Sequence, residues 1–113
     1  MTLVNDDLIQ RMVRAIVEEV APEQVILFGS RARGDYRENS DVDLLVLEAE
    51  PFGPGRSQHE ELVRLYRTLR TFHVPADVLV FSRDDVDYWR DSLNHVLARA
   101  LREGKVLYEK GTL

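Results

Sequence analysis

Apolar residues recur along this chain with two spacings, one typical of helices and one typical of buried strands. Between positions 8 and 20 they fall three and four residues apart, which predicts an amphipathic helix. Asn5 is the expected N-cap of this helix, and Pro22 is expected to end it. Two compact apolar runs follow, at 24–28 and 41–47, and each predicts a short strand.

The second half of the chain continues this order. A loop rich in proline and glycine occupies 48–58, and a helical pattern then runs through 62–72. The apolar run 76–81 predicts a third strand, and Ser82 with Asp85 three residues later resembles a capping box. The helical stripe at 86–101 fits one helix or two, and a last edge strand is predicted at 105–108. Helices that alternate with short strands predict an α/β fold.

Composition is that of a soluble globular protein, with 44% apolar and 31% charged residues. No repeat, low-complexity tract or shift in composition divides the 113 residues, so 1–113 is interpreted as a single domain. The net charge of −5 leaves no electrostatic footprint for general nucleic-acid binding, and none is expected. The absence of cysteine excludes disulfides and zinc–thiolate sites.

The N-terminus lacks the basic and apolar regions of a signal peptide. No apolar stretch approaches the roughly 20 residues that cross a bilayer. We therefore expect a cytoplasmic protein without a membrane partner.

Two carboxylates stand one residue apart where the second predicted strand begins. A strand has a period of two residues, so Asp41 and Asp43 are expected to point the same way. Carboxylates side by side repel each other, and a hard divalent cation offsets that repulsion. Asp77, in the otherwise apolar third strand, supplies a third carboxylate if the second and third strands are neighbours. Asp-x-Asp alone is common, and by itself it indicates a strand-start turn more often than a metal site.

Gly29 and Ser30 close the first predicted strand, and the polar segment 30–39 that follows is predicted to turn, with at most a short helix. Gly29 has no side chain, so its backbone can approach a phosphate closely, and Ser30 adds a hydroxyl. The spacing from Gly29 to Gly34 is that of a Walker A loop, but the lysine and serine or threonine of that loop are missing. No G-x-G-x-x-G exists, so a dinucleotide-binding fold has no support.

Gly29-Ser30, ten residues and then Asp41-Val42-Asp43 resembles the signature of the polymerase-β-like nucleotidyltransferases. The wider stretches 27–34 and 40–44 are similar to their minimal subgroup, small proteins that are commonly the antitoxins of HEPN/MNT toxin–antitoxin pairs. The resemblance implies the fold of that superfamily, a small mixed sheet packed against helices.

The resemblance also implies roles for individual residues. Gly29 and Ser30 would contact the triphosphate of ATP, and Asp41 and Asp43 would bind two Mg²⁺ ions. Asp77 would complete the site of the catalytic ion and help to deprotonate the acceptor hydroxyl. All three aspartates are thus catalytic and metal-binding candidates.

The implied reaction is transfer of AMP from ATP to a hydroxyl of a HEPN partner toxin, expected to be a tyrosine. We expect this chain to lack the extra helical domain of the larger enzymes, and we therefore expect the acceptor surface to come from a partner or a second copy. Two alternatives stay open. One is a catalytically silent antitoxin that acts by binding alone, and the other is nucleotidylation of a small molecule.

Other polar and aromatic residues have weaker assignments. Arg31, Arg33 and Arg37 could neutralise triphosphate charge, and Arg33 is favoured because Gly34 follows it. Arg56 in the Gly/Pro loop is a weaker candidate for the same role than these three arginines. Structural or surface roles are predicted for the remaining residues: surface positions for His59, His73 and His95, packing in the core or at an interface for Tyr88 and Trp89, and a core position for Tyr66.

Overall fold

The computed structural model describes residues 4–111. Within them the chain forms four strands and five α-helices, with a short 3₁₀ turn at Arg70–Phe72 after the third helix. In chain order these are α1 Asp6–Val20, β1 Gln24–Phe28, α2 Gly29–Arg33, β2 Val42–Glu48, α3 Gln58–Leu69, β3 Ala76–Ser82, α4 Arg83–Trp89, α5 Val96–Glu103 and β4 Lys105–Glu109.

The strands form one mixed sheet in the order β3-β2-β1-β4. β1 is antiparallel to both β2 and β4, whereas β2 and β3 are parallel. A parallel pair needs a long crossover, and α3 provides it. The predicted α/β fold with a small mixed sheet is confirmed, and so is the position of β4 at an edge of the sheet.

The alternation of side chains along the strands divides the core in two. Even-numbered residues of β2 and β3, such as Leu44 and Val78, pack against α1 and α3. Odd-numbered residues, such as Leu45 and Leu79, belong to a second cluster under α4 and α5. Asp43 and Asp77 are odd-numbered, so their side chains belong to the α4/α5 face, beyond the end of its apolar cluster.

Local signals fix several helix ends where the sequence predicts them. The Asn5 side chain caps α1 by accepting the Leu8 N–H at 2.9 Å. Ser82 and Asp85 form a reciprocal capping box at the start of α4. The helix α1 ends at Val20, and Ala21 takes the left-handed conformation (φ 47°) before Pro22.

The stripe at 86–101 is two helices, α4 and α5, and not one. His95 lies between them, where its ring nitrogen accepts the Leu97 N–H at 3.1 Å and its ring stacks on Trp89 at 4.1 Å between centroids. The prediction of a purely surface role for His95 was therefore wrong, whereas the packing role of Trp89 is confirmed. Tyr88 is 77% exposed and does not pack in the core.

Several element boundaries also differ from the prediction, two of them at the starts of elements. β2 begins at Val42, so Asp41 precedes the strand, and α3 begins at Gln58, where Ser57 caps it by accepting the Glu60 N–H. No helix between residues 4 and 111 is long and apolar enough to cross a membrane.

Candidate active site

Asp43 and Asp77 are direct partners in the parallel pairing of β2 and β3. Register partners on adjacent strands present their side chains on the same face of the sheet, so the two carboxylates are neighbours. The Val42 N–H donates to the Pro75 carbonyl at 3.0 Å and holds the starts of the two strands together. The sequence adds Asp77 to the carboxylate pair on one condition, which is that the second and third strands are neighbours. The structure meets this condition.

Gly29 lies against the Asp43 carboxylate on the β1 side of β2, whereas Asp77 lies on the β3 side. Phe28, at the end of β1, is the register partner of Asp43, and Gly29 follows it with φ +72°. A Cβ atom at Gly29 would overlap Asp43 Oδ2 and would lie 3.0 Å from Asp43 Cγ. A side chain here would therefore meet both a left-handed backbone and the Asp43 carboxylate.

The pKa of Asp43 is affected by these close neighbours. Burial raises the pKa of the Asp43 carboxyl above its ordinary value, and the negative charges of Asp77 and Asp41 raise it further. Arg33 and Arg31 act on this pKa in the opposite direction. Asp41, although it precedes the strand, is thus close enough to act on Asp43. Three mutually repelling carboxylates are an environment that a bound cation would stabilise.

Asp77 is held by a residue that sequence reasoning placed in the core. Tyr66 of α3 is 38% exposed, and its hydroxyl donates to Asp77 Oδ1 at 3.2 Å while accepting the Val78 N–H at 2.9 Å. Tyr66 is therefore part of the candidate site. Its position in an apolar helical stripe gave no signal of this, because the contact depends on how α3 packs beside β3.

The arginines after Gly29 have different positions. Arg31 is 8% exposed, and its guanidinium donates to the Ser40 carbonyl at 3.1 and 3.2 Å and to the Glu38 carbonyl at 3.3 Å. It therefore holds the loop that leads into Asp41. Arg33 is exposed and pairs with Asp35 and Glu103, each at 3.4 Å.

Ser30, the other predicted triphosphate contact, is half-buried beside Gly29 in the first turn of α2, and its carbonyl accepts the Gly34 N–H at 2.9 Å. Arg37 is exposed in the loop before β2, and its backbone N–H donates to Ser40 Oγ at 2.8 Å.

The donor set is chemically suited to Mg²⁺, because hard divalent cations prefer carboxylate oxygens. Among residues 4–111, no three acidic or histidine side chains are arranged so that they could already hold a metal ion. Asp41, Asp43 and Asp77 are neighbours that have not converged on one point. Tyr66 donates a hydrogen bond to one oxygen of Asp77. Next to the Asp43 carboxylate, Gly29 contributes backbone and no side chain.

A second acidic cluster lies at the opposite end of β2. Glu48 is 4% exposed and pairs with Arg56, which also contacts Glu61 at 3.3 Å and Glu50 at 3.5 Å. Glu48 Oε2 has no hydrogen-bond partner within the part of the chain that the structure describes. Burial and the neighbouring Glu61 raise the pKa of Glu48 to about 8. Arg56 is thus committed to this cluster, away from the three aspartates.

Comparison with known proteins assigns this chain to a family. The family model described as "Polymerase beta, Nucleotidyltransferase" matches residues 10–112. The chain belongs to this nucleotidyltransferase family.

Relatives of this nucleotidyltransferase occur in Methanocaldococcus jannaschii. The protein named "Putative protein adenylyltransferase MJ0604" is 31% identical over 86 residues, which are 76% of this chain and 78% of that protein. A second, "Putative protein adenylyltransferase MJ0141", is 46% identical over 43 residues, which are 38% of this chain and 41% of that protein. The shorter match thus spans less than half of the second relative.

Solved structures share the fold of this nucleotidyltransferase at low sequence identity. A protein described as a "putative nucleotidyltransferase from Sulfolobus solfataricus" superposes with a TM-score of 0.65 at 21% identity, over 92% of this chain and 79% of the other. A toxin–antitoxin structure with AMP-PNP gives 0.54 at 22% identity, over 90% and 74%. A MntA-HpeT toxin–antitoxin structure gives 0.54 at 19% identity, over 96% and 76%.

The resemblance seen in the Gly29-Ser30 and Asp41-Val42-Asp43 motifs is therefore confirmed at the level of family and fold. The three aspartates, Gly29, Ser30 and Arg33 remain predicted site residues of this nucleotidyltransferase.

Proposed function

We propose that this nucleotidyltransferase is a Mg²⁺-dependent protein adenylyltransferase that transfers AMP from ATP to a hydroxyl of a HEPN partner toxin and acts as its antitoxin. The observation that carries the proposal is the surroundings of Asp43. Its carboxylate lies beside Asp77 in register, under the repulsion of Asp41, and against the backbone of Gly29, which has no side chain. Paired carboxylates next to a Gly-Ser turn are the parts that phosphoryl-transfer chemistry needs.

A toxin partner and a nucleotide substrate are supported by the comparisons, whereas the HEPN class of the partner rests on the sequence resemblance. Both Methanocaldococcus jannaschii relatives carry names that say protein adenylyltransferase. Two of the structures that share the fold are toxin–antitoxin assemblies, and one of them was determined with AMP-PNP. These properties belong to those proteins, and we extend them to this chain as a hypothesis.

In the proposed reaction, Asp41, Asp43 and Asp77 would hold two Mg²⁺ ions. When bound, these ions would neutralise charge on the triphosphate and on the attacking and leaving oxygens. Gly29 and Ser30 would receive the phosphates, and Arg33 would leave its exposed ion pairs to contact them. The acceptor oxygen would form a bond to the α-phosphorus, the bond to the β-phosphate oxygen would break, and pyrophosphate would leave. Asp77 would accept the acceptor proton.

The test is a reaction of the purified chain with its HEPN partner, ATP and Mg²⁺, followed by mass spectrometry of the intact partner. We expect the partner to gain mass in whole adenylate units. Asp41→Asn and Asp43→Asn should abolish this gain while circular dichroism and melting temperature show a folded protein. Retained transfer in both variants would exclude catalysis by these carboxylates.

The same mixture distinguishes the alternative of a silent antitoxin. Stoichiometric inhibition of the toxin without any change in its mass would mean that binding alone neutralises it. Modification of a small hydroxyl compound in the absence of a partner protein would instead favour the small-molecule alternative.

A further inference from the structure

Tyr66 and Asp77 come from opposite faces of the sheet and meet at its edge. Tyr66 belongs to α3, which covers the face formed by Val78 and Val80, whereas Asp77 belongs to the other face. β3 is the outermost strand on this side, so one of its edges has no neighbouring strand among residues 4–111. The Tyr66 hydroxyl reaches that edge, where it accepts the Val78 N–H at 2.9 Å.

This backbone hydrogen bond determines where the phenolic proton points. A phenol has one proton to donate, and its oxygen accepts from the fixed Val78 N–H. The proton is thereby directed at Asp77 Oδ1, 3.2 Å away. Asp77 is otherwise exposed, and an exposed carboxylate without a partner samples several rotamers. Tyr66 thus holds one oxygen of Asp77 at the edge of β3 and leaves Oδ2 available for another ligand.

We propose that Tyr66 is a positioning residue, whose hydroxyl holds Asp77 in the orientation that presents its other oxygen to the cation shared with Asp43. The inference rests on the proposed function in one respect, since it takes Asp77 as a ligand of the divalent cation. Outer partners of metal-binding side chains fix the orientation of those ligands, and their loss typically lowers metal affinity or activity about 10- to 100-fold.

A merely structural role for Tyr66 makes a different prediction. In that case the hydroxyl would only satisfy the Val78 N–H, and its removal would lower stability slightly without changing the affinity for a cation. The deciding measurement is therefore cation affinity and not stability.

The experiment compares Tyr66→Phe with Tyr88→Phe, which removes a hydroxyl from a 77% exposed tyrosine on α4. Mn²⁺ binding is titrated by electron paramagnetic resonance in the presence of a non-hydrolysable ATP analogue, and melting temperatures are recorded for both variants. We expect Tyr66→Phe to stay folded and to bind Mn²⁺ about 10- to 100-fold more weakly than the wild type. Tyr88→Phe should match the wild type.

A double-mutant cycle with Asp77→Asn separates action through Asp77 from other effects. If Tyr66 acts through Asp77, Tyr66→Phe should cost no further Mn²⁺ affinity once Asp77 is replaced. Equal Mn²⁺ affinity of the wild type and Tyr66→Phe, or full additivity in the cycle, would overturn the positioning role. Failure of the wild type to bind Mn²⁺ would overturn it together with the proposed function, whereas Mn²⁺ binding without AMP transfer would overturn only the latter.

Discussion

The backbone of Gly29 and the carboxylate of Asp43 are so close that no side chain fits between them. A Cβ at position 29 would lie 3.0 Å from Asp43 Cγ and would overlap Oδ2, and the backbone there has φ +72°. The close contact joins the end of β1 to the start of β2 at the centre of the candidate site. Gly29 is therefore required by its neighbour Asp43 as well as by any phosphate that would bind there.

Gly29→Ala should destabilise the protein by about 1–3 kcal/mol, through left-handed backbone strain together with displacement of Asp43. Gly34→Ala is the matched control. Gly34 also has positive φ (+92°), but apart from its own chain neighbours no atom of residues 4–111 lies within 4 Å of the position that a Cβ would take there. Urea unfolding of both variants measures the difference. Equal losses in the two would mean that the contact with Asp43 costs nothing.

Asp43→Asn should raise the melting temperature in the absence of divalent cations while lowering AMP transfer at least about 100-fold. Because burial and two like charges raise the pKa of Asp43, this group contributes stability that is present below its unfolded pKa. That stability is lost as the pH rises through the higher folded pKa. The melting temperature of the variant should therefore exceed that of the wild type most near neutral pH and little at acid pH. A melting temperature lower than that of the wild type at neutral pH would contradict the repulsion.

Arg31→Ala should destabilise the protein by about 2–4 kcal/mol, because it removes buried charge-assisted hydrogen bonds to the Ser40 and Glu38 carbonyls. Arg33→Ala, which removes only exposed ion pairs, should cost about 1 kcal/mol or less. Hydrogen exchange should increase in the loop before Asp41 in the first variant alone. Indistinguishable unfolding curves for the two would show that Arg31 does not anchor this loop.

Glu48→Gln should flatten the pH dependence of stability. The folded pKa of Glu48 is raised from 4.5 to about 8, so its contribution is fully present below pH 4.5 and is lost as the pH rises through 8. At pH 9 the variant should be the more stable protein, because its neutral side chain places no buried charge beside Glu61. Thermal melts from pH 5 to pH 9 would measure this.

Glu50→Gln is the control, because Glu50 has a side chain that is 79% exposed. It should leave the pH profile unchanged. Parallel profiles for the wild type and Glu48→Gln would show that Glu48 is ionised in the folded protein at neutral pH.

Much of the fold follows from local signals. The strand β1 has the bounds that its apolar run predicted, and the caps at Asn5 and Ser82 are where short-range spacing put them. The sequence does not decide between one helix and two at 86–101, because the break between α4 and α5 depends on His95, which stacks on Trp89 and caps α5. The helical spacing of apolar residues does not indicate such a contact.

In the candidate site, too, local motifs are predictable from the sequence and long-range contacts are not. The motifs Gly29-Ser30 and Asp41-Val42-Asp43 are local, so the sequence was sufficient to indicate the family. The sequence predicts a core position for Tyr66 and does not decide the role of Arg31. The contacts of Tyr66 with Asp77 and of Arg31 with Ser40 join residues nine or more positions apart, so no local pattern indicates them. Glu48 gave no signal, since its burial arises only when β2 is enclosed in the sheet.

The sequence by itself determined the order of the elements, the family and the three carboxylates, because periodicity and short motifs are properties of neighbouring residues. The tertiary structure alone decided that β2 and β3 pair in the register that sets Asp43 beside Asp77. It also decided that Gly29 closes against Asp43 and that Tyr66 reaches around the edge of β3 to Asp77. The physical reason is that strand register and helix packing minimise the free energy of the whole core, which no local segment encodes.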